Sequence, residues 1–329
     1  MKVLITGGAG FIGSHLADEY LMLGCEVYVI DDLSTGAAVN LKKAREIGGD
    51  RLTFVEGTIL DREIMLELVG TCDVVLHFAA AVGVQYILDN PLQTITTNID
   101  GTGLLLELCS KFRKRVLIVS TSEVYGKQTH APLIETDDIV YGAASKWRWS
   151  YAATKLVDEF TALAYYRSQK LNVSIVRLFN TVGPRQSGQY GMVIPRLVDQ
   201  ALEGASLSVY GDGAQTRTFV HVSDVVRAIR LLIEADMTAG EIVNIGGAQE
   251  ISIYDLATLI VEKTQTGSTI EKIPYIEAYS SDYEDMPRRV PSTTKAKKLF
   301  GWEAELTLDA ILLDVIAERR ETVDCLHDL

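Results

Sequence analysis

Tyr151 and Lys155 stand four residues apart in Ser150-Tyr151-Ala152-Ala153-Thr154-Lys155. On a helix that spacing puts both side chains on one face. An ammonium close to a phenol favours the phenolate and pulls a tyrosine from a pKa of about 10 toward neutrality, which makes Tyr151 a candidate base toward a hydroxyl group. The same pattern also suits an ordinary amphipathic helix with one aromatic ring on the core and one solvated lysine. Three segments elsewhere add chemistry. Ser120-Thr121-Ser122-Glu123 and Arg177-Leu178-Phe179-Asn180-Thr181-Val182-Gly183-Pro184-Arg185 each end a β-type run with polar groups, whose commonest use is turn formation and capping. His77-Phe78-Ala79-Ala80-Ala81 ends another with small residues, which allow a flat ring to approach.

A second constellation lies at the start of the chain. Gly7, Gly10 and Gly13 recur every third residue between an apolar run and a helical pattern. Without Cβ atoms such a loop turns tightly and lets backbone amides approach a pyrophosphate at a helix N-terminus. A glycine triplet alone is equally consistent with a tight turn. Asp31, 18 residues beyond Gly13, strengthens the ligand reading, because a carboxylate there can accept both hydroxyls of an adenosine ribose. Asp32 puts negative charge where a 2′-phosphate would sit, which points to NAD rather than NADP.

The elements that must position these groups follow the rhythm of βαβ units. Strands are expected at Lys2–Thr6, Glu26–Asp31, Leu52–Glu56, Val74–Phe78, Arg115–Ser120 and Asn172–Leu178. Helices are expected at Ser14–Leu23, Asp61–Val69, Gln93–Ser110 and Ser150–Gln169. The fold class predicted is α/β: a Rossmann-type, doubly wound parallel sheet over residues 1–178, with a smaller substrate-binding domain over 179–329. A helix at Pro195–Glu203, a strand at Ser206–Tyr210, a helix at His221–Ala235 and a strand at Glu241–Ile245 follow, and residues 221–245 are expected to rejoin the first domain.

Composition removes several function classes. Of 329 residues, 31 are Lys or Arg and 44 Asp or Glu, and a net charge of −13 repels nucleic acid and anionic membranes. No apolar run approaches the roughly 20 residues of a membrane span. Cys25, Cys72, Cys109 and Cys325 show no CxxC pairing and no metal-ligand spacing, so they read as reduced thiols and no metal is expected. The first strand begins at once, leaving no room for a signal peptide, and a cytoplasmic location is the expectation.

Taken together, Thr6-Gly7-Gly8-Ala9-Gly10-Phe11-Ile12-Gly13, His77-Phe78-Ala79-Ala80, Asn98, Ser120-Thr121-Ser122-Glu123-Val124-Tyr125-Gly126, Tyr151-Ala152-Ala153-Thr154-Lys155 and Arg177-Leu178-Phe179-Asn180 resemble the extended short-chain dehydrogenase/reductase family. Within it the likeness is to nucleotide-sugar epimerases, dehydratases and decarboxylases. Val209-Tyr210-Gly211-Asp212-Gly213 and Gln215-Thr216-Arg217-Thr218-Phe219-Val220-His221-Val222 resemble its nucleotide-binding region, and the likeness runs to about residue 300.

The resemblance implies NAD recycled within each turnover on a nucleotide sugar, with a UDP-sugar favoured, and a homodimer formed through the helices of Asn98 and Tyr151. It implies that Tyr151 takes the C4 hydroxyl proton, that Lys155 binds the nicotinamide ribose, and that Thr121 or Ser122 bonds the C4 oxygen. Cofactor contacts are expected from Gly7, Gly10, Phe11, Ile12 and Gly13, and from Asp31 and Asp32. Further ones are expected from Thr58, Ile59, Ala79, Ala80 and Asn98; at Thr58 many members carry an Asp that faces adenine. Asn180, Arg185, Tyr210, Arg217 and Arg289 are expected to bind substrate.

The reaction is expected to be that of a UDP-glucuronate decarboxylase. Dehydratases resemble Thr-Asp-Glu where this chain has Thr121-Ser122-Glu123, and Arg289-Val290-Pro291-Ser292 resembles the decarboxylases' Arg-x-Pro setting. Glu123 is expected to orient the sugar carboxylate or relay a proton, or to be a loop carboxylate bonded to amides. The loop Arg185–Pro195 departs from the decarboxylase pattern, so a 4-epimerase of a UDP-hexose or UDP-hexuronate is the alternative. A 4,6-dehydratase and a non-catalytic NAD-sensing protein stand further off.

Overall fold

The computed structural model describes residues 1–329 except 82, 84–86, 88, 189–191, 279–283, 285 and 328–329, together with the side chains beyond residue 321. Cys325 and residues 189–191 of the Arg185–Pro195 loop therefore lie outside what is described. Seven parallel strands form the central sheet: β1 (Lys2–Thr6), β2 (Glu26–Asp31), β3 (Leu52–Glu56), β4 (Val74–His77), β5 (Arg115–Thr121), β6 (Val173–Leu178) and β7 (Ile242–Ile245). Their order is β7-β6-β5-β4-β1-β2-β3. The order reverses between β1 and β4, and open α/β sheets bind ligands beyond the carboxyl ends of strands at such a switch point.

Alternation along the strands divides the core in two. Val3 and Ile5 of β1 join Val27 and Val29 of β2 on one face, under helices α1 (Phe11–Met22) and, later in the chain, Val222–Glu234. Leu4 and Ile30 face the other way, onto α2 (Arg62–Thr71), α3 (Pro91–Lys111) and α4 (Arg148–Gln169). Strands buried on both faces explain the near-continuous Val, Ile and Leu runs.

Boundaries depart from the sequence expectation in instructive ways. Asp61 does not open α2 but caps it, its Oδ1 accepting from Glu63 N and Ile64 N at 2.9 and 3.1 Å. Helix α4 starts at Arg148, not Ser150, with Trp147 at its N-cap and no side-chain cap bond. β5 runs one residue further, through Thr121, whose hydroxyl accepts from Glu123 N and starts a short turn.

The remaining residues build a smaller assembly. Helix α6 (Val222–Glu234) is the one already described over the central sheet, whereas α5 (Val193–Leu202), α7 (Ile253–Thr264) and α8 (Leu308–His327) accompany short strands. Ile194, Leu197, Leu207, Val209, Leu256, Ile260 and Ile311 form its own core. Residues Arg288–Arg289 pair in parallel with Thr216–Arg217, which sets Arg289 beside Arg217.

The β1–α1 turn is the tightest point of the fold. Gly7 adopts φ +69°, and a Cβ there would sit 2.7 Å from Ala79 N. At Gly13 a Cβ would collide with the Gly7 carbonyl oxygen and lie 2.7 Å from Gly8 Cα. Both neighbours are backbone, which cannot give way cheaply. Gly13→Ala is expected to destabilise the protein by about 1–3 kcal/mol, read from the urea unfolding midpoint. An unchanged midpoint would mean that helix and strand are not in the close contact described.

Candidate active site

Glu159 lies four residues beyond Lys155 and eight beyond Tyr151, so one face of α4 carries all three. Its carboxylate accepts from Arg177 Nε and Nη2 at 2.9 and 2.7 Å and from Ser120 Oγ at 2.5 Å. The bond to β5 and the forked pair to β6 press α4 onto the carboxyl ends of both strands. Tyr151 thereby reaches Thr121, with which its phenol shares a hydrogen bond. Ser122 and Glu123 follow on the same turn.

The sites expected from the sequence converge on a cavity of about 970 Å³. Gly7, Gly10, Phe11, Ile12, Gly13, Asp31, Asp32, Ile59, Ala79 and Ala80 line one end. Thr121, Ser122, Glu123, Tyr151 and Lys155 line its middle, and Asn180, Arg185, Tyr210, Arg217 and Arg289 the rest. Two expected contacts, Thr58 and Asn98, are not among the lining residues. Thr58 turns its hydroxyl to Leu60 N at 3.3 Å. Asn98 is buried, accepting from Ala81 N at 2.9 Å and donating to Thr154 Oγ1 at 3.1 Å, so it braces the Ala79–Ala81 segment against α4.

The glycine end fits a dinucleotide. Gly10 caps α1 with no side-chain partner for the first turn, which leaves amides and the positive end of the helix directed at the cavity. Asp31 accepts from Ala9 N and Leu33 N at 2.9 Å each, and from the Gly10 amide; two carboxylate oxygens with about four lone-pair sites still leave it acceptor capacity.

The electrostatics of the middle differ from the sequence expectation. Lys155 Nζ donates to Asp158 Oδ2 at 2.9 Å, and both side chains are buried. Its charge is therefore shared with a carboxylate. Burial first, then the charges of Glu123 and Asp158, push the Tyr151 phenol well above its ordinary value rather than toward neutrality.

Glu123 is ion-paired to both Arg148 and Arg289. Burial alone would raise its carboxyl, but the two guanidinium groups hold it at about 2. Arg289 also donates from Nη2 to Asn180 Oδ1 at 2.8 Å. Arg185 is engaged with Asp18 at 2.6 Å. Tyr210 lies under the Arg196 guanidinium, 4.4 Å from the ring centroid. Arg148, Asp158 and Glu159 were missed by motif reading. Helical spacing from Tyr151 (i−3, i+7, i+8) was their available signal.

A parallel sheet with an uncapped glycine turn at the switch point, and a Tyr/Lys helix pinned across β5 and β6, is the architecture of the extended short-chain dehydrogenases/reductases. The chain belongs to the GDP-mannose 4,6 dehydratase family, whose sequence model matches residues 4–315. It is an NAD-dependent enzyme that modifies nucleotide sugars. It is 42% identical to the UDP-N-acetyl-alpha-D-glucosaminuronate decarboxylase of Bacillus cytotoxicus, over 97% of this chain and 98% of that one. With UDP-glucuronic acid decarboxylase 1 of Xenopus tropicalis it shares 35% identity, over 94% of this chain and 69% of the relative. The crystal structure of UDP-glucuronic acid 4-epimerase from Bacillus cereus, with UDP-glucuronic acid and NAD, superposes with a TM-score of 0.88 at 28% identity, covering 98% of this chain and all of that one.

The Glu123 pairing has a pH signature. Its folded value of about 2 lies below the ordinary 4.5, so the stability it contributes is complete above pH 4.5 and is lost as pH falls toward 2. Glu123→Gln is expected to flatten the acid loss of stability in that window, measured by urea unfolding at successive pH values. An unchanged slope would deny the carboxylate its charge partners.

Proposed function

We propose that this chain removes the C6 carboxylate of a UDP-hexuronate. The observation that carries the reading is Glu123 between Arg148 and Arg289, next to Tyr151. Two guanidinium groups against one carboxylate leave a net positive site suited to a sugar carboxylate. Ser122, where a dehydratase would need an acid, carries only a hydroxyl, far too weak an acid to expel a C6 hydroxyl. The printed activities of the two sequence relatives support the same reading.

We assign residues 1–178, rejoined by 221–245, to holding the cofactor, and 179–329 mainly to holding the nucleotide sugar. Gly7, Gly10 and the first turn of α1 would hold the pyrophosphate of NAD, Asp31 the adenosine ribose and Lys155 the nicotinamide ribose. NAD, when bound, supplies a hydride acceptor for C4 and gives the hydride back before product leaves. Tyr151 Oη takes the proton of the C4 hydroxyl, while Thr121 and Ser122 bond that oxygen.

A C4 ketone makes the C6 carboxylate that of a β-keto acid. The C5–C6 bond then breaks, carbon dioxide departs, and the electron pair moves toward the C4 oxygen, which Tyr151, Thr121 and Ser122 hold. Solvent then supplies a proton at C5, and the C4 oxygen takes back the proton held by Tyr151 as the C4 ketone is reduced. Glu123 is ionised at neutral pH, so its part is to hold Arg148 and Arg289 in place for the sugar carboxylate rather than to deliver that proton. Asn180, Arg217 and Tyr210 are assigned to the nucleotide diphosphate side.

A 4-epimerase is the second reading, favoured by the likeness to the UDP-glucuronic acid 4-epimerase. We further propose a homodimer through α3 and α4, whose outer surfaces expose Leu92 and Phe160 at 76% and 64%. A cytoplasmic location is proposed as well. It is supported by the unpaired, buried Cys25, Cys72 and Cys109, and no described helix is long and apolar enough to cross a membrane.

Incubation with UDP-glucuronate and with UDP-N-acetylglucosaminuronate is expected to release carbon dioxide and give a UDP-pentose or its acetamido analogue, with no net consumption of NAD. Mass spectrometry and NMR read the product. A product that retains all six sugar carbons would replace this reading with epimerisation. Glu123→Gln should slow turnover and let reduced cofactor accumulate.

Tyr151→Phe should lower kcat by at least about a hundredfold with NAD still bound. Titration should show NAD bound more tightly than NADP. Equal affinities would remove Asp31 and Asp32 from cofactor recognition.

A further inference from the structure

A buried line of hydrogen bonds leads from Lys155 away from the cavity through α3, β4 and β1, and its direction can be worked out donor by donor. Lys155 Nζ donates to Asp158 Oδ2 at 2.9 Å. The Asp158 carboxylate also takes a hydrogen bond from the Thr102 side chain on α3. A carboxylate only accepts, so the single hydroxyl hydrogen of Thr102 is spent there. Thr102 Oγ1 lies 3.0 Å from His77 Nε2 and must therefore accept from the ring.

That places the imidazole proton on Nε2 and leaves Nδ1 bare. Thr6 Oγ1, 2.8 Å from Nδ1, donates to it, and the same oxygen accepts from Ala79 N at 3.2 Å. Thr6, His77, Thr102, Asp158 and Lys155 are each at most 2% exposed. Water therefore has little access to substitute for any member.

We propose that Asp158, Thr102 and His77 are positioning residues for the proton-transfer pair. The line from Ala79 to Asp158 fixes the carboxylate that anchors the Lys155 ammonium and offsets its pull on the Tyr151 phenol. The proposal rests on Tyr151 being the proton acceptor. It gives a use to His77, a buried histidine at the cavity wall whose two ring nitrogens are both taken by threonine hydroxyls. Burial, with the charge of Lys155, holds this ring at about 3, so it stays neutral and keeps one tautomer across the working range. The far end of the line is Ala79, whose amide lies against Gly7 on the dinucleotide wall.

The charged groups acting on Tyr151 are Asp158 and Arg148 on α4 and Glu123 after β5, with Lys155 one helical turn away and paired to Asp158; α3 contributes the neutral Asn98 and Thr102. Glu159 is matched by Arg177. Of these, Asp158 is the carboxylate paired with Lys155.

The test uses the NAD-loaded enzyme. Asp158→Asn keeps the shape and removes the negative charge, so Lys155 acts on Tyr151 unopposed and the phenol ionises more easily. Because the ionised phenol is the base, the acidic limb of kcat against pH is expected to move down by about one unit, a tenfold gain below the old inflection, with KM little changed. Thr102→Val should move the limb the same way by less, and serves if Asp158→Asn does not fold. Thr102→Ser should restore the wild-type profile.

Nitrogen-15 NMR of histidine-labelled enzyme supplies a readout independent of turnover. His77 should be Nε2–H in the wild type and in Thr102→Ser, and a mixture in Thr102→Val. An Nδ1–H ring in the wild type, or an unmoved limb in folded Asp158→Asn, would overturn the proposal. If Tyr151→Phe turned over normally, the catalytic reading would fall and the positioning role with it, while the tautomer would still decide the hydrogen-bond line by itself.

Discussion

The forked ion pair between Arg177 and Glu159 governs where the Tyr151 helix meets the sheet. Both groups are buried, the guanidinium lies 4.7 Å from the Tyr125 ring centroid, and Ser120 takes a further place on the carboxylate. Loss of one member of such a pair leaves an uncompensated buried charge, at a cost of about 3–5 kcal/mol. The pair spans α4 and β6, and the serine adds β5. Three elements are thereby brought into one register, and Tyr151, Lys155, Thr121 and Ser122 inherit their separation from it.

Around that joint the protein solves an electrostatic problem. The chain carries a net charge of −13, yet its ligands include a dinucleotide and a nucleotide sugar, both anionic. The answer is local. Backbone amides at the start of α1 serve one end, and Arg148, Arg217 and Arg289 gather at the other, where Glu123 keeps two of them ordered. In the proposed cofactor placement, Asp31 and Asp32 put negative charge where ribose hydroxyls would lie.

Two carboxylates near Tyr151 have different partners and hence different effects. Glu123, between two arginines, is strongly ionised. Asp158, matched by one lysine and a threonine, is raised by burial. Both act against ionisation of the phenol. Tyrosine and lysine at helical spacing therefore do not by themselves make a low-pKa base; burial first, and then the surrounding charges, decide.

Much of this was legible in the sequence. β1 to β6 follow from β-branched runs between helical stretches, since strands buried on both faces must be apolar throughout. The glycine turn and Asp31 could be read because their spacing is local to one βαβ unit. Tyr151 and Lys155 shared a face by helical period alone. What the sequence left open was set by contacts between residues far apart in the chain. Thr58 and Asn98 matched a pattern but do not line the cavity: one hydroxyl takes the Leu60 amide and the other side chain ties a loop to α4. Arg289 meets Glu123, 166 residues away, only because a two-residue strand pairs beside Arg217. Burial and charge at Tyr151 depend on groups from separate elements. No local spacing encodes the sum of their fields, so the protonation of the site was decided by the tertiary structure.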